Sequence, residues 1–228
     1  MTGFLASVNC LEEADIALQA GADVIDLKEP ARGVLGAVPI STLRTVVKFI
    51  AGQRLMSATV GDLPSDPAVV SQAVAEIAAT GVDIVKVGLF DRAHRSALFQ
   101  ALAAQAQSGA RLVVVLFADR EPEPETVLVA IAEGGLMGVM LDTADKQGRS
   151  LRDCCTDLQL AAFVRRGKEL GLVIGLAGAL QIEDITPLLA LDPDYLGFRG
   201  ALCAGNSRHQ AIDPMAVRAI RQRIPKAK

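Results

Sequence analysis

Three observations predict a single α/β domain, residues 1–228, closed into a (β/α)8 TIM barrel. Short apolar runs of β type alternate eight times with longer helical patterns, the rhythm of a parallel sheet wrapped by helices. Hydrophobic residues make up 51% of the chain but aromatics only 4%, so the apolar surplus is Val, Ile, Leu and Ala. Strands buried on both faces have that composition. Finally, charged residues interrupt several runs near their C-terminal ends, where a barrel gathers its chemistry.

The elements follow in order. Phe4–Val8 is the first run, and a helical pattern over Leu11–Ala20 comes next. Val24–Lys28 is the second, separated by a Gly-rich loop (Arg32 to Val38) from a helix over Ile40–Ala51. Leu55–Val60 is the third, with a helix over Pro67–Ala79. Asp66 caps that helix and Pro67 starts it, because Asp accepts from free first-turn amides and Pro suits the first helical position. Ile84–Leu89 precedes a helix over Ala93–Gln107, and Leu112–Ala118 one over Glu125–Glu133. Val139–Thr143 precedes a helix over Cys155–Leu170, and Val173–Ala177 a short one over Glu183–Ala190. Tyr195–Arg199 is the eighth run, and Asp213-Pro214 opens the last helix, Pro214–Arg223. Gly21, Gly81, Gly109 and Gly171 end helices, where a left-handed backbone is favoured. A doubly wound open sheet is the alternative; the first strand lacks the G-x-G-x-x-G turn that would support it. The segments Gly21-Ala-Asp23-Val-Ile and Gly81-Val-Asp83-Ile-Val echo each other, as two helix-to-strand junctions of one barrel would.

Composition also excludes function classes. A mean hydropathy of +0.35 is far too high for a disordered chain. Four Cys are too few for a disulfide scaffold, no C-x-x-C occurs, and free thiols suit a reducing cytoplasm. The longest charge-free stretch, Ser96 to Ala110, is too short and too Gln-rich to span a membrane, and no secretory signal is expected. Net charge −3 gives no reason to expect a nucleic-acid partner. His94 and His209 lack ligand spacing, so neither a metal nor another cofactor is expected.

The charged interruptions are the functional signal. Asp26 and Lys28 share one face of the second strand, because side chains alternate. Lys86 stands between Val85 and Val87, Asp142 ends the sixth strand, and Lys146 follows four residues later. A barrel brings all five to one mouth, where they serve either as a structural ion-pair cluster or as a catalytic set. Clustered lysines suit Schiff-base chemistry, since a neighbouring ammonium and partial burial free an amine to attack a carbonyl. After the last two strands come Gly175-Leu-Ala-Gly178-Ala179-Leu and Gly197-Phe-Arg199-Gly200-Ala201-Leu. Such loops hold a phosphate on backbone amides in many barrels, and Arg199 would add a charged contact.

Together, Asp26-Leu-Lys28-Glu-Pro, Val85-Lys86-Val87-Gly88 and Leu141-Asp142-Thr-Ala-Asp-Lys146 resemble the (5-formylfuran-3-yl)methyl phosphate synthase family, the 4-HFC-P synthases of methanofuran biosynthesis. The resemblance runs over essentially the whole chain, from Leu5-Ala-Ser-Val to Gly197-Phe-Arg-Gly200. It implies a barrel and a class I aldolase-like lyase. Two glyceraldehyde 3-phosphate molecules would condense to a furan aldehyde phosphate with loss of phosphate and water. By position, Lys28 matches the family's Schiff-base lysine and Lys86 its proton acceptor; Asp26, Asp142 and Lys146 match other polar site residues. The expected partners are small triose phosphates, and self-association into a homo-oligomer is left open. Another Schiff-base aldolase, a sugar-phosphate isomerase or a non-catalytic phosphometabolite-binding barrel are the competing readings.

Overall fold

A computed structural model describes residues 1–91, 94–121, 123–145 and 149–225. The strands are β1 (Gly3–Val8), β2 (Val24–Leu27), β3 (Leu55–Thr59), β4 (Ile84–Gly88), β5 (Leu112–Phe117), β6 (Gly138–Asp142), β7 (Val173–Leu176) and β8 (Tyr195–Phe198). Each is hydrogen-bonded in parallel to its sequence neighbours, and β1 also pairs with β8, so the sheet closes on itself. The helices are α1 (Leu11–Ala20), α2 (Ile40–Ile50), α3 (Pro67–Ala78), α4 (Arg95–Gln107), α5 (Leu128–Glu133), α6 (Leu151–Cys154), α7 (Asp157–Glu169), α8 (Ile185–Leu189) and α9 (Pro214–Arg223). The (β/α)8 barrel expected from the alternation is the fold observed. No helix among the described residues is long and apolar enough to cross a membrane.

Strand alternation divides the apolar residues into two layers. Phe4, Ile25, Val85, Val114, Leu141 and Leu176 point outward and pack with the helices in one large core. Leu5, Val24, Ile84, Val113 and Met140 belong to a second, smaller cluster that fills the barrel interior. Every strand residue of β2, β4, β5 and β6 is buried, which accounts for the high apolar content in a chain with few aromatics.

The internal echo in the sequence has a structural meaning. Asp23, just before β2, accepts from the Phe4 amide of β1 at 2.7 Å. Asp83, just before β4, accepts from the Met56 amide of β3 at 2.7 Å, and Asp194 does the same for Ile174 of β7. Each carboxylate satisfies an amide at the entry of the preceding strand, so the same junction device recurs around the lower rim.

The caps hold where expected. Asp66 accepts from Ala68 and Val69, Asp213 accepts from Met215, and the four predicted helix-ending glycines have positive φ. The helix expected over Cys155–Leu170 starts later: α6 and α7 are separated at Cys155 and Thr156, both extended. Thr156 and Gln159 form a capping box that restarts the helix, so the amides of α7 are satisfied by side chains rather than by continuation from α6. Thr156→Ala should cost about 1 kcal/mol, seen as a Tm lowered by roughly 2–4 °C in a thermal melt. The helix expected over Glu125–Glu133 opens as a 3₁₀ turn, Pro124–Val127, before α5, and the one over Glu183–Ala190 opens as a 3₁₀ turn, Ile182–Asp184, before α8. Ala93, the expected start of the fourth helix, lies outside the described residues, and α4 begins at Arg95.

Candidate active site

The C-terminal ends of the strands surround a cavity of about 730 Å³. Lys28, Lys86, Asp142, Gly178, Ala179, Arg199 and Gly200 line it, so most of the residues expected at the mouth do meet there. Asp26 and Ala201 are not on its wall, and Lys146 lies outside the described residues.

Asp26 is fully buried and stands behind the lysines. The register places Ser7 of β1 and Ser57 of β3 level with it on either side. Ser7 Oγ donates to Asp26 Oδ2 at 3.0 Å, Ser57 Oγ donates to Oδ1 at 2.5 Å, and Lys86 Nζ donates to Oδ1 at 3.0 Å. Burial pushes this carboxyl up, but Lys86, Lys28 and the Ser57 hydroxyl outweigh it and hold the group below the usual carboxylate range. Lys86 itself is only 3% exposed, and Asp26 is its ion-pair partner. Asp26 is thus placed behind the cavity wall, bonded to Lys86 rather than lining the cavity itself.

Lys28 follows β2 directly, and its amide donates to Val8 O at 3.0 Å, which continues the ladder and fixes the backbone that carries the amine. The loop beyond it is tied to the β3 side. Asp62 accepts from the amides of Val34 and Leu35 at 2.7 Å each. Gly33 beside it has φ +133°, and a Cβ there would lie 2.2 Å from Asp62 Oδ2, so only glycine lets the carboxylate close on the loop. Across the barrel, Asp142 accepts from the Thr143 amide at 2.7 Å, and Asp119 accepts from Ala144 and Asp145. Burial raises the Asp119 carboxyl, and the amide donors, chiefly those of Ala144 and Asp145, bring it below its ordinary value. That clamp orders the segment leading toward Lys146.

Two backbone turns form the opposite wall. Gly178 has φ +110° and Ala179 +49°, an uncommon conformation for alanine that turns the chain sharply after β7. In the 3₁₀ turn Gly200–Leu202, the first internal bonds come from the Leu202 and Cys203 amides to Arg199 O and Gly200 O. The amides of Gly200 and Ala201 precede them as first-turn donors without a partner in the turn. Gly178, Ala179 and Gly200 thus line the cavity together on its β7–β8 side.

Arg199 does different work from the phosphate contact expected of it. Its Nη1 donates to Glu13 Oε2 and to Ser7 O at 3.1 Å. Its Nη2 donates to Glu13 Oε1 at 3.3 Å and to Gln210 O at 3.2 Å, while Nε donates to Arg208 O at 3.0 Å. All five N–H groups are spent on protein acceptors, so the guanidinium has none left for a ligand. It is a buried post that fixes β1, α1 and the segment after β8 relative to one another. Sequence reasoning missed Glu13, Ser7, Ser57, Asp62 and Arg208. The two serines were the detectable ones, as small polar residues inside otherwise apolar strands.

Comparison with known proteins gives the chain's family and its fold neighbours. Residues 4–221 match the family model of 4-HFC-P synthase. A relative from Methylorubrum extorquens is 44% identical over 209 residues, covering 92% of this chain and 86% of the relative. The (5-formylfuran-3-yl)methyl phosphate synthase of Methanopyrus kandleri is 34% identical over 224 residues, covering 93% and 94%. Among solved structures, 3-hexulose-6-phosphate synthase superimposes with TM-score 0.71 at 15% identity, covering 98% of this chain and 100% of that one. Phosphoribosyl anthranilate isomerase from Thermus thermophilus gives TM-score 0.67 at 16% identity and covers 98% of each chain. Those structural likenesses show the barrel; the family model and the sequence relatives show the lineage, and the chain belongs to the 4-HFC-P synthase family of enzymes.

Proposed function

We propose that this enzyme condenses two glyceraldehyde 3-phosphate molecules into (5-formylfuran-3-yl)methyl phosphate through a Schiff base on Lys28. The observation that carries the reading is the pair of lysines, Lys28 and Lys86, on the cavity wall over one buried carboxylate, Asp26. Simple phosphate binding has no use for a cation buried inside a strand.

Lys28 Nζ adds to the aldehyde carbon of the first triose, and the carbonyl oxygen leaves as water to give a protonated imine. Lys86, once it has released its ammonium proton to water in the cavity, takes the proton from the adjacent carbon, and that electron pair forms the enamine. The enamine carbon attacks the aldehyde of the second triose, which makes the new carbon–carbon bond. Ring closure and eliminations aromatise the product. Over the whole sequence six carbons are retained, one phosphate and two waters leave, and hydrolysis of the imine returns Lys28. Asp142, on the same wall, serves the proton transfers of the later steps, and the backbone donors of Gly178, Ala179, Gly200 and Ala201 hold a substrate phosphate. Such a product would place the enzyme in methanofuran biosynthesis. Its four free cysteines support a cytoplasmic, reducing setting.

Borohydride added with glyceraldehyde 3-phosphate should trap a covalent adduct on Lys28, located by peptide mass spectrometry. An adduct on Lys86, or none, overturns the assignment. Strong near-ultraviolet absorbance of a furan product separates this reaction from other Schiff-base aldol chemistry and from isomerisation.

A further inference from the structure

We infer that Arg208 binds the phosphate of the second triose, in the cavity that the β7 and β8 turns also line. This inference rests on the two-triose reaction proposed above. A condensation of two triose phosphates brings two phosphates into one cavity, and the paired glycine turns account for one of them. The charged contact expected from Arg199 is missing, because that guanidinium is fully engaged by Glu13 and carbonyls.

Arg208 stands on the same cavity wall, half-buried. Its Nη2 donates to Gly33 O at 3.0 Å and reaches Val34 O at 3.4 Å, which carries the side chain from the segment after β8 to the loop after Lys28. That pair of carbonyls uses one nitrogen only. Nε and Nη1 have no protein acceptor among the described residues, and neither is sealed from the cavity's solvent. Nε and Nη1 therefore remain to donate single charge-assisted bonds to a phosphate. The main chain of the same residue is fixed as well, since Arg208 O accepts from Arg199 Nε. Burial pushes the guanidinium pKa down and Asp142 pushes back, which places the group within the field of the catalytic wall. The Gly33–Leu35 loop held by Asp62 from one side and by Arg208 from the other gives this cation a rigid seat.

Two measurements test the assignment. Inorganic phosphate titrated into the intact enzyme by calorimetry should report two ions per chain, and Arg208→Gln should report one. In steady-state kinetics Arg208→Gln should raise KM for glyceraldehyde 3-phosphate roughly ten- to a hundredfold, with a smaller change in kcat, and Arg208→Lys should recover part of the loss. Borohydride trapping of unphosphorylated glyceraldehyde on Lys28 should be the same in all three proteins. An unchanged phosphate stoichiometry overturns the inference. So does a parallel loss of trapping with the unphosphorylated aldehyde, which would make Arg208 a strap for the loop and nothing more. The phosphate titration does not depend on turnover, so it still decides the role of Arg208 if no furan is formed.

Discussion

Lys28→Ala should abolish furan formation while leaving the barrel intact. The amine is the only group assigned to bond covalently to substrate, and the other lysine on the wall, Lys86, is held by Asp26. Loss of roughly 10⁴-fold or more in kcat is expected, comparable to removing a covalent nucleophile elsewhere, or about 5 kcal/mol of barrier. Stability should change little. Asp26 keeps Ser7, Ser57 and Lys86 as partners in the variant, and Lys28 lies beyond the end of β2. Lys28→Arg sharpens the result. A guanidinium keeps the positive charge but forms no imine, so it should be as inactive as alanine. Activity assays with a thermal melt of each variant check this. An active arginine variant would mean that Lys28 acts through charge, and the covalent mechanism would be wrong.

The elements and charges that could be read from the sequence are those governed by local periodicity. Apolar alternation located all eight strands, and the buried charges stood out because Asp26, Lys28, Lys86 and Asp142 break apolar runs. What could not be read was partnership across the chain. Arg199 has a position after β8 that suits phosphate, yet its role is decided by Glu13, which lies 186 residues away. Arg208 sits in an irregular segment after two 3₁₀ turns, with no period to betray it. The two Gly-x-Asp junctions were visible as an echo, but the function of Asp23 and Asp83 depends on the preceding strand's amide, which only folding brings within 2.7 Å. Asp26 shows the limit most clearly. The pattern put it at the mouth with Lys28, and the structure puts it one layer deeper, where it serves Lys86.

That depth makes Asp26→Asn the most informative stability variant. Asparagine keeps the shape: its oxygen can still accept from Ser57 and Lys86, and its amide can donate to the Ser7 hydroxyl. Only the charge is lost, and Lys86, 3% exposed, is left without the Asp26 counter-ion. Breaking a buried pair from one side costs about 3–5 kcal/mol, which at roughly 2–4 °C per kcal/mol for a chain of this size lowers Tm by about 6–20 °C. The pH dependence follows from the direction of the Asp26 shift. Its folded-state pKa is depressed below the usual 3.8, so the native state holds the ionised form more strongly than the unfolded chain does. The resulting stability is fully present above that usual value and is lost as pH falls through the lower, folded-state one. Urea melts of both proteins should therefore show a constant gap from neutral pH down to about 5, narrowing only in stronger acid. A gap that instead closed between pH 8 and 6 would show that the charge at Asp26 is not what holds Lys86 in place.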